Sequence, residues 1–311
     1  MDIVRAFRAA GAVTLAADAD PLAPALYHGD LQAIVPRIAD PGYVDALAEL
    51  VRVHDVRLIV PLNDLDHPVL SRAREELEPA VLLLPDADVC DRMSDKLEAH
   101  RFFVERGIAS PESWEPDAVS ANARYPLLVK ARQGFGSRHI YRAADRRELD
   151  FFLGYTTAPS FVQEQCRGEE FSIDVFCDLD ARCLNAIPRT MLLSKGGESI
   201  KGASLKDEEL IEYGRRVAET VGIKGPANVQ CFREPDGRLP VTDVNTRFGG
   251  GFPLPLAAGS RYPELALALA RGERPEPQLG KFEEGVYMTR FFSEVCLAPD
   301  AEGTLRPLPP V

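Results

Sequence analysis

The stretch Leu239–Gly259, LPVTDVNTRFGGGFPLPLAAG, sets an acid, an amide and a guanidinium at every second position and then places three glycines in a row. Successive residues of a strand face opposite ways, so Asp243, Asn245 and Arg247 share one face while Val244 points into packing. Just upstream, ANVQCF (227–232) sets Asn228 and Gln230 against Val229 and Cys231, as a neighbouring strand would. Carboxylate and amide oxygens suit magnesium, which takes oxygen ligands and is held by few protein groups plus substrate phosphates. Taken alone, the stretch reads equally well as an exposed polar strand face with an ordinary glycine turn.

Further upstream, YPLLVKARQGFGSRHIYRA (125–143) reads as a strand, a loop carrying Gly134, Phe135, Gly136 and Ser137, and a second strand. Glycines let backbone N–H groups approach phosphate oxygens, and lysines neutralise them as point charges. Lys130 ends an otherwise apolar strand just before that loop, where a buried ammonium without an anion would be costly. Lys96 opens a helix in SDKLEAHRFFVERGI (94–108), for which Ser94 or Asp95 can serve as the cap.

Around this core the chain changes period. IVRAFRAAG, PGYVDALAELVRVHDV and HPVLSRAREELE (67–78) carry helical apolar stripes, and AVTLAAD, RLIVPL and AVLLLP are continuous apolar runs of strand length. Apolar strands separated by amphipathic helices indicate a parallel sheet, so residues 1–90 are expected to form an α/β domain. Beyond it, strands joined by glycine turns, including PSFVQEQCRGEEFSIDVFCD with its turn at Gly168, indicate antiparallel α+β architecture. The end, LRPLPPV, reads as a loose tail.

The 311 residues carry a formal charge of -12, from 48 acidic against 36 basic side chains. That charge would repel a phosphate backbone and an anionic bilayer, so nucleic acid and membrane are not expected as partners. No signal-like start or bilayer-length apolar run is present, and the expectation is a soluble, cytoplasmic protein. The six cysteines and five histidines show no metal-ligand or disulfide spacing and are read as reduced thiols and packing or surface imidazoles.

The motifs SDKLEAHRFFVERGI, PLLVKARQGFGS, FVQEQCRGEEFSIDV, NVQCF and DVNTRFGGG, in that order across residues 94–251, resemble the ATP-grasp superfamily. Within it they are similar to the carbamoyl-phosphate-synthase-like carboxylate–amine ligases. ADADPLAPALYHGD and IVPLND also look like the domain that precedes the grasp. The resemblance implies a pre-grasp domain over 1–90, an ATP-grasp domain over 91–300 with a lid at about 120–167, and a flexible tail over 301–311. It implies ATP and magnesium (or manganese) as cofactors, small-molecule carboxylate and amine substrates, and a homodimer as a common state.

Carried over by position, the resemblance places Lys96 and Lys130 on nucleotide phosphates and Gly134 to Ser137 in the lid loop above them. Glu164, with the backbone that follows at Gln165, would hold the adenine edge, and Glu170 the ribose hydroxyls. Gln230, Asp243 and Asn245 would surround the metal, with Asn245 and Arg247 also serving the reacting groups. Arg247 would meet the γ-phosphoryl group or an acyl phosphate. Arg189 matches a recurrent basic position, with Lys195 and Glu198 in a nearby loop; a solvated polar loop is the alternative there. The three glycines would give the substrate close access.

The family often has glutamate where Asp243 stands and sometimes a second acid where Gln230 stands, so fewer or weaker metal contacts are expected. A ligase that activates a carboxylate is therefore the expected function, with an ATP-grasp kinase or a non-catalytic ATP-binding module as alternatives. A nicotinamide oxidoreductase is disfavoured, since no G-x-G-x-x-G turn occurs in the first domain. Similar proteins open with a strand before their first helix, whereas MDIVRAFRAAG goes straight into that helix. The first strand of the parallel sheet is thus expected to be missing, with the natural frame starting upstream or the sheet completed otherwise.

Overall fold

The computed structural model of the chain describes residues 1–134, 139–196 and 198–309. It opens in helix α1 (Asp2–Ala9), which buries Ala6 and Phe7. The chain reverses at Gly11, whose φ of 90° suits a residue without Cβ. Strands β1 (Leu15–Asp18) and β2 (Leu31–Ile34) pair in parallel. After helix α2 (Tyr43–His54), β3 (Leu58–Ile59), helix α3 (His67–Arg72) and β4 (Val81–Leu82) follow, with β3 and β4 again parallel. Among the described residues the two ladders are separate sheets. Val35, Tyr43, Leu70, Leu77, Leu82 and Leu84 form the core beneath them.

Helix α3 is shorter than the apolar stripe over 67–78 implied. The chain leaves the helical path after Arg72, and Arg74 instead donates to the carbonyls of Leu82, Leu84 and Pro85 while Leu77 enters the core. Arg74 thus adds a side-chain donor along the carbonyls that follow the two-residue strand β4.

Helices α4 (Ala87–Ser94) and α5 (Lys96–Glu105) lead into the second part. Of the two candidate caps it is Asp95 whose carboxylate accepts from the amides of Leu97 and Glu98. A four-stranded antiparallel sheet follows, made by β5 (Ser113–Trp114), β6 (Leu127–Ala131), β7 (Ile140–Ala143) and, after helix α6 (Arg146–Tyr155), β8 (Ser160–Glu164), in the order β5-β8-β6-β7. Its own small core contains Leu127, Val129, Leu149 and Val162.

The remaining elements are β9 (Glu169–Cys177), β10 (Cys183–Thr190), β11 (Leu193–Lys195), β12 (Glu198–Ala203), helix α7 (Glu208–Val221), β13 (Gly225–Arg233), β14 (Val241–Asn245), helices α8 (Pro253–Ala257) and α9 (Tyr262–Ala270), and β15 (Tyr287–Thr289). A second antiparallel sheet runs β10-β9-β13-β14, and β11-β12-β15 forms a third. Helix α7 is capped by Asp207 and ends at Gly222 in the left-handed region, and it buries Leu210, Gly214, Val217, Ala218 and Val221. Gly214 lies against Ile173 of β9, where a Cβ would collide with that side chain.

Two expectations change here. The turn at Gly168 does not close a hairpin: β8 and β9 lie in different sheets, and Gly168 packs on the backbone of Arg233 and Glu234 with no room for a Cβ. The C-terminal segment is also not wholly loose, because β17 (Leu305–Pro307) pairs antiparallel with β16 (Leu297–Pro299). Asp300 fixes that turn by accepting from the amides of Glu302 and Thr304 and from Arg306 Nε. All six cysteines are free thiols, four of them buried. No helix of the described residues is long and apolar enough to cross a membrane.

Candidate active site

The β13–β14 ladder sets Gln230 opposite Asp243 and Asn228 opposite Asn245. In an antiparallel pair, directly opposed side chains leave the sheet on the same side, so the two amides and the carboxylate proposed for metal binding share one face. Helix α5 starts above that face. Lys96 Nζ donates to both oxygens of Asp243, at 3.2 and 3.0 Å, and its backbone amide is held by Arg132 O at 2.9 Å. Burial pushes the Asp243 carboxyl up, but the ammonium groups of Lys96 and Lys130 outweigh it and hold the group below its ordinary value.

Lys130 lies on β6, 8 % exposed, and donates to Gln163 Oε1 at 3.1 Å. Gln163 is fixed in turn by donating to Ser113 Oγ at 3.0 Å. Burial drives the Lys130 ammonium down to about 8, against the attraction of Asp243. Its hydrogen-bond partner is a neutral amide. Glu170, at the start of β9, is raised by burial and only partly relieved by Arg189 and Lys130. Glu164 closes β8, and Gln165 accepts from Arg142 Nε at 2.9 Å. Gly134 has φ 127°, a conformation that excludes other residues without strain. Phe135, Gly136 and Ser137 lie outside the described residues.

Arg247 leaves the end of β14 and meets Asp64 of the first α/β region in a bidentate pair, Nε to Oδ1 at 2.8 Å and Nη2 to Oδ2 at 2.7 Å. Its Nη1 donates to Phe248 O. Beside this pair His67 Nδ1 lies 2.8 Å from Thr246 Oγ1. Burial lowers the imidazole to about 4, so it stays neutral at pH 7. Asp64, Arg247, Asn63, Phe248, Gly249 and Gly250 are among the walls of a cavity of about 410 Å³ between the two regions. Sequence reading singled out neither Asp64 nor His67, although the acid of PLND follows an apolar strand at a position where it can face a neighbouring element.

Arg189 is placed differently from a substrate-facing group. It is 2 % exposed, its Nε donates to Asp174 Oδ2 at 2.8 Å and its Nη1 to Ser199 Oγ at 3.1 Å. Asn228 Nδ2 donates to the other Asp174 oxygen at 2.7 Å and Ser172 Oγ to Asn228 Oδ1. Ser172 and Asp174 of β9 thus belong to a buried polar network with Arg189 and Asn228. The glycine run packs over it: a Cβ at Gly251 would overlap the Arg189 guanidinium, and one at Gly249 would press on Asp174 and Asn228. The close approach that requires these glycines is to the protein's own charges. Lys195 sits exposed on β11.

The donor set fits magnesium in company with phosphates. One carboxylate with two amides is a weak metal site by itself, and magnesium takes its remaining ligands from water and substrate phosphate oxygens. Among the described residues no cluster of three His, Cys, Asp or Glu side chains could hold a metal alone. Two flanking ammonium groups, Lys96 and Lys130, complement a polyphosphate.

Residues 156–291 match the family described as "ATP-grasp in the biosynthetic pathway with Ter operon". Residues 1–82 match the "PylC-like, N-terminal domain". The chain is 24 % identical over 277 residues to the carbamoyl phosphate synthase large chain of Clostridium botulinum, covering 80 % of this chain and 25 % of that one. It thus spans about a quarter of the length of the curated relatives it matches. Its fold is similar to the biotin carboxylase domain of the Hydrogenobacter thermophilus 2-oxoglutarate carboxylase, solved with MgADP and bicarbonate (TM-score 0.72, 18 % identity, 92 % of this chain and 70 % of that one). It is also similar to an L-amino acid ligase from Bacillus licheniformis (TM-score 0.63, 19 % identity, 82 % and 73 %). The two family matches follow the order of the sequence motifs: residues 156–291 belong with an ATP-grasp family and residues 1–82 with a PylC-like N-terminal domain.

Proposed function

We propose that the protein uses Mg·ATP to activate a small-molecule carboxylate as an acyl phosphate and couples it to an amine, releasing ADP and phosphate. The observation that carries this reading is the convergence of Lys96, Lys130, Asp243, Gln230 and Asn245 on one sheet face, with Arg247 at its end beside a cavity. Lys96 and Lys130 neutralise the nucleotide phosphates, and Glu164 and Glu170 are assigned to the adenine and ribose. Gln230, Asp243 and Asn245 would hold the metal, which supplies charge neutralisation at the transferring phosphoryl group.

A carboxylate reacts poorly with amines because its oxygen is a poor leaving group and its charge repels nucleophiles. Phosphorylation removes both obstacles, and the protein's task is then positioning and electrostatic stabilisation. Arg247, at the cavity wall, is assigned to the γ-phosphoryl group or the acyl phosphate, and Arg189 to holding the buried network under the glycine run. The carboxylates named for similar structures, bicarbonate and amino acids, define the first substrates to examine. ADP release measured with bicarbonate, the amino acids and short dicarboxylates, each with and without amines, tests the reading. Turnover that needs both a carboxylate and an amine supports it; a phosphorylated product accumulating without an amine would make the protein a kinase.

A further inference from the structure

The pairing of Lys96 with Asp243 joins a group assigned to phosphate with the only carboxylate assigned to metal. Both oxygens of Asp243 are engaged by one ammonium, at 3.2 and 3.0 Å, and the two side chains keep 17 % and 19 % exposure. Asp243 is fixed by the β13–β14 ladder, opposite Gln230. Lys96 is anchored by its backbone amide on the carbonyl of Arg132, and its ammonium sits at the end of a four-carbon stem whose rotatable bonds let it change partner while the backbone stays in place. Lys130 and Arg247 also act on the Asp243 carboxylate. A divalent cation at Asp243 would therefore meet an ammonium already seated on both of its oxygens, and like charges a few ångströms apart in a half-buried site repel strongly.

Phosphate oxygens offer Lys96 a better partner and would draw it away. We propose that Lys96 guards the metal site: the chain binds a divalent cation poorly until nucleotide phosphates take Lys96 off Asp243, so phosphate and metal binding are coupled through one side-chain exchange. Linkage makes the coupling reciprocal, since releasing either partner of the pair strengthens binding at the other. The proposal rests on the reading of this face as the Mg·ATP site and adds the order in which that site assembles.

The test measures Mn²⁺ binding to the full chain without nucleotide, by water-proton relaxation. Lys96→Met, which keeps the apolar stem and removes the charge, should bind Mn²⁺ about tenfold or more tightly than wild type, because a unit charge at this range is worth more than one decade. The gain should vanish in Lys96→Met/Asp243→Asn. In the reciprocal arm, metal-free ADP in excess chelator should bind Asp243→Asn more tightly than wild type, and this arm stands even where Lys96→Met does not fold. Equal Mn²⁺ affinity in wild type and Lys96→Met, a gain that survives in the double variant, or weaker metal-free ADP binding by Asp243→Asn overturns the proposal. Failure of wild type to bind MgADP would instead sink the nucleotide reading, and the Mn²⁺ arm does not depend on nucleotide.

Discussion

Nucleotide affinity should fall steeply between pH 8 and 9.5, and Lys130 is the reason. Its ammonium lies in the β6 strand with a neutral amide as hydrogen-bond partner, and burial pushes it down to about 8 from 10.5. Bound phosphates would restore a counter-charge and raise it again. The sign follows: free protein is mostly charged at pH 7 and mostly neutral at pH 9.5, so binding above pH 8 must take up a proton. With a free value of 8, the charged fraction drops about 30-fold between pH 7 and 9.5, or ~2 kcal/mol of binding free energy. Nucleotide phosphates stay ionised over that range, and burial pushes Cys166 and Cys231 up to about 12, so these thiols do not titrate there. Calorimetric titration with a nonhydrolysable ATP analogue, in buffers of different ionisation enthalpy, reads both affinity and proton uptake. Lys130→Met should bind weakly at pH 7 but with no such pH dependence, converging on wild type near pH 9.5. Constant wild-type affinity to pH 9.5 without proton uptake would refute the reasoning. The same group acts on stability in the opposite direction: the unfolded chain binds the extra proton, so stability of the free protein rises with pH between 8 and 10.5.

The Arg247–Asp64 pair should show a coupling of about 1–3 kcal/mol in a double-mutant cycle of urea unfolding, because it is bidentate and partly shielded; a coupling near zero would mean that it does not join the two regions. Gly251→Ala should cost more than ~2 kcal/mol, since the new methyl would overlap a guanidinium already fixed by Asp174 and Ser199. Gly154→Ala, in α6 with open space around the added carbon, should instead stabilise by up to ~1 kcal/mol. Thermal unfolding of the two glycine variants checks the contrast, and equal shifts would contradict it.

What could be read from the residues, and what could not, follows the range of the interactions. Alternation in VTDVNTR and ANVQCF was enough to put Asp243 with Asn245, and Gln230 with Asn228, on one side of their strands, because period-two direction is a local property; the register that sets Gln230 opposite Asp243 comes from the fold. The cap of α5 was legible to within one residue, Ser94 or Asp95, and the parallel character of the first strands followed from their alternation with amphipathic helices. Gly168 was read as a hairpin turn, yet the chain there crosses between sheets, and nothing within a few residues records that the partner surface is Arg233. The burial of the polar residues of β9 is not a local property: it depends on Arg189 and Asn228, which arrive from other strands to satisfy Asp174. Asp64 stands 183 residues from Arg247, and only the assembled fold brings the two together.

The central claim is that a carboxylate oxygen becomes bonded to the γ-phosphorus and then leaves with it. Carboxylates labelled with ¹⁸O in both oxygens, taken from those that release ADP in the presence of an amine, test this directly by mass analysis of the phosphate formed. Attack of the carboxylate on phosphorus followed by displacement by the amine predicts one ¹⁸O in each inorganic phosphate and one retained in the amide. Phosphate free of label, with both ¹⁸O atoms kept in the organic product, would contradict the account.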